Sequence, residues 1–569
     1  MRSSLVLTAL AGLLALTACG GGAESGAEPG QPLAVPDAAL ASLSADHLHA
    51  TIERLSSDGF LGRLPGTAGE DSTVAYLESE LRSLGLAPGN PDGSYVQKVP
   101  LVSLTPDPRA SLTIEGPGGR RQLKFGPDVV AWSKRVTERS GIESSGVVFV
   151  GYGVEAPEYE WDDYKGVETE GKTLVMLVND PPVPDPNDPS KLDPNAFGGN
   201  AMTYYGRWTY KYEQGAAKKA GAVLIVHETG PAGYPWPVVQ GMGGERFDLV
   251  TPDRNMSRAA VEGWITVDQA RALFTMAGQD FDALKAEAAT RTFKPVDLGL
   301  KASMTIDNTI RTVDSRNVVA KLEGSDPKLK DEYVIYMAHW DHLGVGIPVD
   351  GDSIYNGALD NATGTAGLLE LARAYTKLPT PPKRSILFLA VTAEEQGLLG
   401  SQYYGVDPLY PLDKTLAAIN MDGLNVAGRT SDLTVIGMGA SELDDYAEQA
   451  AREQDRVLKP DPEPEKGYYY RSDHFNLAKQ GVPALYAEGG IDYVGKPADY
   501  GIRVREQYVA EDYHKPSDEI KPEWDLSGAI ADLELLLKVG YRVAAAERFP
   551  EWRPNSEFRA IRERQLQGR

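Results

Sequence analysis

"EYVIYMAHWDHLG", residues 332–344, is a run of six apolar or aromatic side chains that ends in two histidines and an aspartate. The whole chain of 569 residues has only seven histidines. Three more apolar runs have the same shape: "RSILFLAVTAEE" (384–395), "LAAINMDG" (416–423) and "VPALYAEGG" (482–490). Each ends in acidic residues, and "TGTAGLLELARAYTKL" (363–378) between the first two reads as a helix. Near-continuous apolar strands alternating with helices indicate an α/β fold with a mostly parallel central sheet flanked by helices. In such sheets ligands gather beyond the carboxyl ends of the strands. The polar residues lie at those ends.

Outward from this core the chain changes character. Residues 40–86 carry a helical pattern, and "YLESELRSLGL" closes on Gly85 as a C-cap. Between 121 and 295 short Val- and Gly-rich runs such as "GVVFVGYG", "KTLVMLVND" and "GAVLIVH" suggest a β-rich unit inserted into the α/β one. The expected layout is therefore a signal at 1–19, a tether at 20–38, and an N-terminal part of the catalytic domain at 39–120. The insertion at 121–295, the catalytic domain at 296–550 and a tail at 551–569 complete it.

Composition narrows the chemistry. Hydrophobic residues at 42% and charged residues at 24% are ordinary for a globular chain. A formal net charge of −24 argues against nucleic acid or another polyanion as partner. The single cysteine, Cys19, excludes an intramolecular disulfide and a thiolate metal site. It closes "MRSSLVLTALAGLLALTAC", a basic residue, an apolar run and Leu-Thr-Ala-Cys. That order matches an export signal and resembles a bacterial lipobox. The expectation is an exported lipoprotein of the cell envelope, held to a membrane by its lipid anchor only. "GGGAESGAEPGQP" follows as a flexible tether.

The strand ends form one constellation. His339 and Asp341 are two apart and point the same way on a strand. Asp360 lies in the glycine-bearing "GALDNATG", Glu394 and Glu395 close the next strand, Asp422 the one after, and His514 stands in "EDYHKPSDE". Adjacent carboxylates repel unless a cation or proton lies between them. Several acids with two imidazoles point to divalent metal, two ions rather than one. Oxygen and nitrogen donors without sulfur suit zinc before manganese or cobalt. Alone, each residue has a plainer reading: Asp360 and Asp422 as turn or cap residues, Glu394 and Glu395 as a solvated helix start, His339 as a strand-end residue. Their joint order favours the metal.

The blocks "HWDHLG", "GALDNATG", "TAEEQGLLGS", "NMDG" and "DYHKPSDE", in that order, resemble the co-catalytic dizinc aminopeptidases of peptidase clan MH, family 28. "FLGRLPGTAGEDSTVAYLESELRSLGL" is similar to that family's lead-in, and the inserted unit resembles its protease-associated domain. The resemblance covers residues 40–120 and 300–545. It implies two zinc ions bridged by Asp360, one completed by His339 and Asp422 and the other by Glu395 and His514. It makes Asp341 the hydrogen-bond partner of His339, Glu394 the general base toward a shared water, and Tyr513 an oxyanion donor. Arg471, Ser472 and Asp473 fall where relatives place the substrate pocket. Peptides are the implied substrates, cleaved at the N-terminal bond. A glutamate-carboxypeptidase-like enzyme, a glutaminyl cyclase with one zinc, and a receptor-like ectodomain without catalysis are the rival readings. His342 matches no ligand position and is expected to turn away into the loop. His47, His49, His227 and His474 read as structural, and the acidic "DPNDPSKLD" as a solvated loop rather than a calcium site.

Overall fold

The four apolar runs form adjacent parallel strands whose residues are buried on both faces. All seven residues of Tyr333–His339 and of Ser385–Val391 are buried, as are all six of Thr415–Asn420. Tyr333–His339 pairs in parallel with both of these neighbours, and Ala484–Gly489 adds in parallel to Thr415–Asn420. Antiparallel strands flank this centre. Val296–Leu322 pairs with Ser385–Val391 and then with Val96–Pro106, while Asp432–Ile436 pairs with Ala484–Gly489. The computed structural model describes residues 33–567. The signal at 1–19, Cys19 and most of the tether lie outside them. The tether was expected to reach 38, but Val35 is already buried and a short helix starts at Asp37.

The alternation of side chains along a strand sorts the core into two layers. Val334, Tyr336 and Ala338 face a cluster that includes the helices Thr363–Thr376 and Ser527–Ala545. Tyr333, Ile335 and Met337 face the other side, with Tyr404, Phe475, Trp552 and Phe558. A sheet covered on both faces explains why its strands read as unbroken apolar runs.

The C-terminal segment is not a tail. Trp552 and Phe558 are buried, and Arg562 donates to the carbonyls of Leu412 at 3.0 Å and Thr415 at 2.6 Å. Three anchors in a charged background, "EWRPNSEFRAIRERQLQGR", hide this packing from a reading by composition.

The inserted unit has its own core, drawn from Leu112 to Ile306. Its boundaries therefore lie outside the expected 121 and 295. The hairpin Ser111–Gly116/Gly119–Lys124 belongs to it, as does the first half of the 27-residue strand Val296–Leu322. That strand pairs with Ser111–Gly116 and Arg139–Phe149 at its start and with Val96–Pro106 further on. One strand thus serves two sheets, and no linker composition marks the joint. Aromatic contacts add to the joint: the Tyr204 ring lies 5.9 Å from Tyr470 and 4.9 Å from Phe475.

Candidate metal centre

Each strand end delivers its polar side chain to the same edge of the sheet. His339 is the last residue of its strand, Glu394 and Glu395 follow Ser385–Val391, and Asp422 follows Thr415–Asn420. Asp360 sits in the irregular turn after Gly357, before the helix Thr363–Thr376, with a cis peptide to Asn361. His514, at φ 57°, follows the helix Tyr500–Glu511.

The structure brings all five predicted donors together. His339 Nε2 lies 3.2 Å from Asp422 Oδ1 and 3.4 Å from Asp360 Oδ1. His514 Nε2 lies 3.2 Å from the other oxygen of Asp360, Oδ2, and 3.1 Å from Glu395 Oε2. Asp360 therefore turns one oxygen to each histidine. Two triads have donor atoms within 4.8 Å of one another: His339, Glu394 and Asp422, and His342, Asp360 and Glu395. The pairwise distances add His514 to the second group, while Glu394 is itself a member of the first.

No lysine or arginine among the described residues forms an ion pair with Asp360, Glu394, Glu395 or Asp422; their charged neighbours are imidazoles. Burial alone would lower the His339 pKa, but Asp422 and Glu394 reverse this and hold it well above its usual value. For His514 burial also acts downward, and Glu395 and Asp360 win. Burial pushes Glu394 well above the carboxylate range, with Asp422 and Glu395 adding to it. Four half-buried acids with no lysine or arginine paired to them among the described residues make a good fit for divalent metal, and a bound ion would supply the missing charge.

Two local roles differ from expectation. His339 Nδ1 donates to the main-chain carbonyl of Asp341 at 3.2 Å, while the Asp341 carboxylate stands 3.8 Å away. The carbonyl fixes the tautomer and leaves Nε2 to face the acids. The Asp341 carboxylate instead accepts the backbone N–H groups of Glu394 at 3.0 Å and Glu395 at 3.4 Å, so it orients the paired glutamates. His342 does not turn away. It is fully buried, with Nδ1 2.6 Å from Glu395 Oε1 and its main-chain N–H donating to the Arg63 carbonyl at 3.4 Å.

Of the expected substrate contacts, Ser472 and Asp473 are 2% and 0% exposed. Ser472 donates to Asp422 Oδ2 at 2.5 Å and accepts from Asn420 at 2.6 Å, so it braces a donor. Asp473 accepts from Ser401 at 2.6 Å, and burial raises it to about 7. These two side chains face the protein rather than a substrate. Arg471 is half-buried against the Tyr468 ring. Tyr513 is 43% exposed and stacks on the His514 ring at 3.8 Å. The protein packed around its hydroxyl end, with Asp360 and the two glutamates, keeps the phenol protonated and able to donate.

The sequence reading missed Arg63 and Arg207. Leu61, Gly62 and Arg63 lie in the left-handed region at φ 49°, 62° and 53°, which costs an L-residue about 1–2 kcal/mol. A Cβ on Gly62 would stand 2.5 Å from the carbonyls of Gly344 and Tyr355. The turn carries Arg63 beneath the site, and only the run "GRLPG" hinted at it.

Comparison with known proteins gives one family. Residues 317–537 match Peptidase family M28. Aminopeptidase NAALADL1 of Mus musculus is 35% identical over 130 residues, 22% of this chain and 16% of that protein. A probable zinc metalloprotease of Pyrenophora teres f. teres (strain 0-1) is 28% identical over 200 residues, 31% and 42% of the two chains. The match to the Caenorhabditis elegans glutamate carboxypeptidase 2 homolog, 29% over 200 residues, covers 34% and 24%. The chain thus spans less than half the length of each of these relatives. Among solved structures, an aminopeptidase from Aneurinibacillus sp. strain AM-1 is similar at a TM-score of 0.48 and 19% identity, covering 91% of this chain and 96% of that one. Residues 317–537, which match Peptidase family M28, hold the whole set of donors.

Proposed function

We propose that this chain is a zinc-dependent exopeptidase that removes N-terminal residues from peptides. The observation that carries the reading is the split of Asp360, with Oδ1 toward His339 and Oδ2 toward His514. A carboxylate so placed suits two metal ions that share it. His339 and Asp422 would complete one, Glu395 and His514 the other. Two bound zinc ions would supply Lewis-acid polarisation of the scissile carbonyl and acidify a water. Glu394 then takes a proton from the attacking water and returns it to the leaving amine. Tyr513 donates to the developing oxyanion. Asp341 and Ser472 hold the glutamate pair and Asp422 in place. The relatives, an aminopeptidase and a probable zinc metalloprotease, support the same reading. Elemental analysis, with hydrolysis of aminoacyl-p-nitroanilides before and after chelation, tests it. Two zinc ions per chain and chelator-sensitive release are expected; full activity in metal-free protein would end the proposal.

A second reading rests on two arginines. Arg207 opens the helix Trp208–Ala217 of the inserted unit, and Arg471 belongs to the catalytic unit. The Nε of each is buried without a hydrogen-bond partner, and neither guanidinium forms an ion pair among the described residues. Burial, with the charge of Arg471, brings Arg207 down to about 9. In a chain of net charge −24, two cations left unpaired beside the site favour a substrate carboxylate, as in a carboxypeptidase-like enzyme. Paired peptides with free and amidated C-termini separate the readings. A KM that rises only for the free acid in Arg471→Ala supports carboxylate recognition.

Export and lipid attachment at Cys19 belong to the proposal as well. A Cys19→Ser chain that still sediments with membranes would remove that part.

A further inference from the structure

The turn 356–360 that ends in Asp360 is held from outside by two buried side chains of opposite charge. Arg63 is 1% exposed. It donates to the Asn356 carbonyl at 2.6 Å and the Gly357 carbonyl at 2.9 Å. Two further donors reach the carbonyls of Trp340 and Leu55, both at 2.8 Å. Arg63 therefore ties the turn to the strand end that carries His339. Asp518 is 2% exposed and takes the groups that follow. Its carboxylate accepts the N–H of Leu359 at 2.9 Å and of Asp360 at 3.1 Å, and its main-chain carbonyl accepts the N–H of Ala358 at 2.9 Å. The Tyr508 hydroxyl donates to the same carboxylate at 3.2 Å.

Every residue from 356 to 360 thus has a backbone group fixed by Arg63 or Asp518. Regular structure cannot do this work, because Asp360 is non-helical at φ −105° and ψ 96°. Gly357 leaves no slack: at φ 55°, a Cβ there would stand 2.3 Å from the Asp360 carbonyl. Burying two charged groups on main-chain partners is a costly way to close a loop. It is an effective way to stop one carboxylate from moving.

We infer that Arg63 and Asp518 are positioning residues that hold the two oxygens of Asp360 between His339 and His514, and thereby set the metal affinity of the site. The inference rests on the reading of Asp360 as the shared ligand. It is tested by chelator competition for zinc, by thermal melting of the metal-free protein, and by separating kcat from KM. Asp518→Asn and Arg63→Lys are expected to weaken zinc binding about 10–100-fold. KM is expected to stay at the unmodified value, and the metal-free melt shows whether each variant is folded. Tyr508→Phe, which removes one donor to Asp518, should weaken binding by a smaller factor and serves if the other variants fail to fold. Unchanged zinc affinity in the folded variants, with Asp360→Ala depleted of metal, overturns the inference and leaves the reading of Asp360 standing. An Asp360→Ala protein that keeps its full zinc removes that reading, and the inference with it.

Discussion

The inserted unit and the catalytic unit both bury carboxylates, but they satisfy them by different means. In the insertion, Asp163 accepts from Val154 at 3.0 Å and Trp161 at 2.8 Å, and Asp180 accepts from Thr203 through its N–H at 2.7 Å and hydroxyl at 2.6 Å. Lys211, fully buried, stands by them as the compensating charge and donates to the carbonyls of Tyr152 at 2.6 Å and Asn179 at 3.1 Å. Burial pushes both acids up to about 7 and Lys211 down to about 8, and their mutual attraction opposes each shift. In the catalytic unit Asp360, Glu394, Glu395 and Asp422 face imidazoles and one another, and the nearby guanidinium of Arg63 donates to carbonyls, as Lys211 does. A cluster that contains its own cation holds the fold together. A cluster whose acids outnumber its cations is suited to receive one.

Substitutions on each side of this contrast should fail in different ways. The largest effect is expected for Glu394→Gln, which removes the proton carrier without removing a donor. Turnover should fall about 10²–10⁴-fold while elemental analysis finds unchanged metal; metal loss would recast Glu394 as a ligand. Lys211→Met should leave two buried acids uncompensated and destabilise the protein by about 3–5 kcal/mol in urea unfolding. Its metal content should not change, and equal stability would break the comparison. Tyr513→Phe should lower kcat by about 10²-fold with little change in KM. A change in KM alone would mean that the ring serves packing on His514.

At neutral pH the smallest effect concerns His474, which burial holds at about 3 between the rings of Tyr469 and Tyr486. An unfolded histidine titrates near ~6.5. The folded value is the lower one, so the full contribution is present above pH ~6.5 and is lost as pH falls toward the folded value. His474→Phe should flatten the stability curve between those limits by up to about 1.4 kcal/mol per pH unit. Denaturant midpoints across pH would show a parallel curve if the histidine is inert.

How much of this was legible follows from where the information lies along the chain. Strands buried on both faces write themselves as apolar runs, so the sheet and the order of His339, Asp360, Glu394, Glu395, Asp422 and His514 could be read directly. His342 was misplaced because it matches no ligand position and so was assigned to the loop, whereas the structure buries it against Glu395. The partner of His339 is a main-chain carbonyl, and no residue type announces that. Arg207 and Arg471 converge from different units, and the aromatic stretch around Arg207 resembles ordinary packing. The edges of the insertion stayed hidden because Val296–Leu322 runs through both sheets without a break in pattern.

That shared strand also bears on how the chain finds its shape. The N–H of Asp107 meets the carbonyl of Asp307 at 2.8 Å, so two hundred intervening residues end where they began. Closing a flexible loop of that length costs about 4–5 kcal/mol in chain entropy. When the insertion forms its own core, that cost is met within it, and Val96–Pro106 arrives already beside its partner. For the catalytic sheet, the insertion converts a remote pairing into a local one.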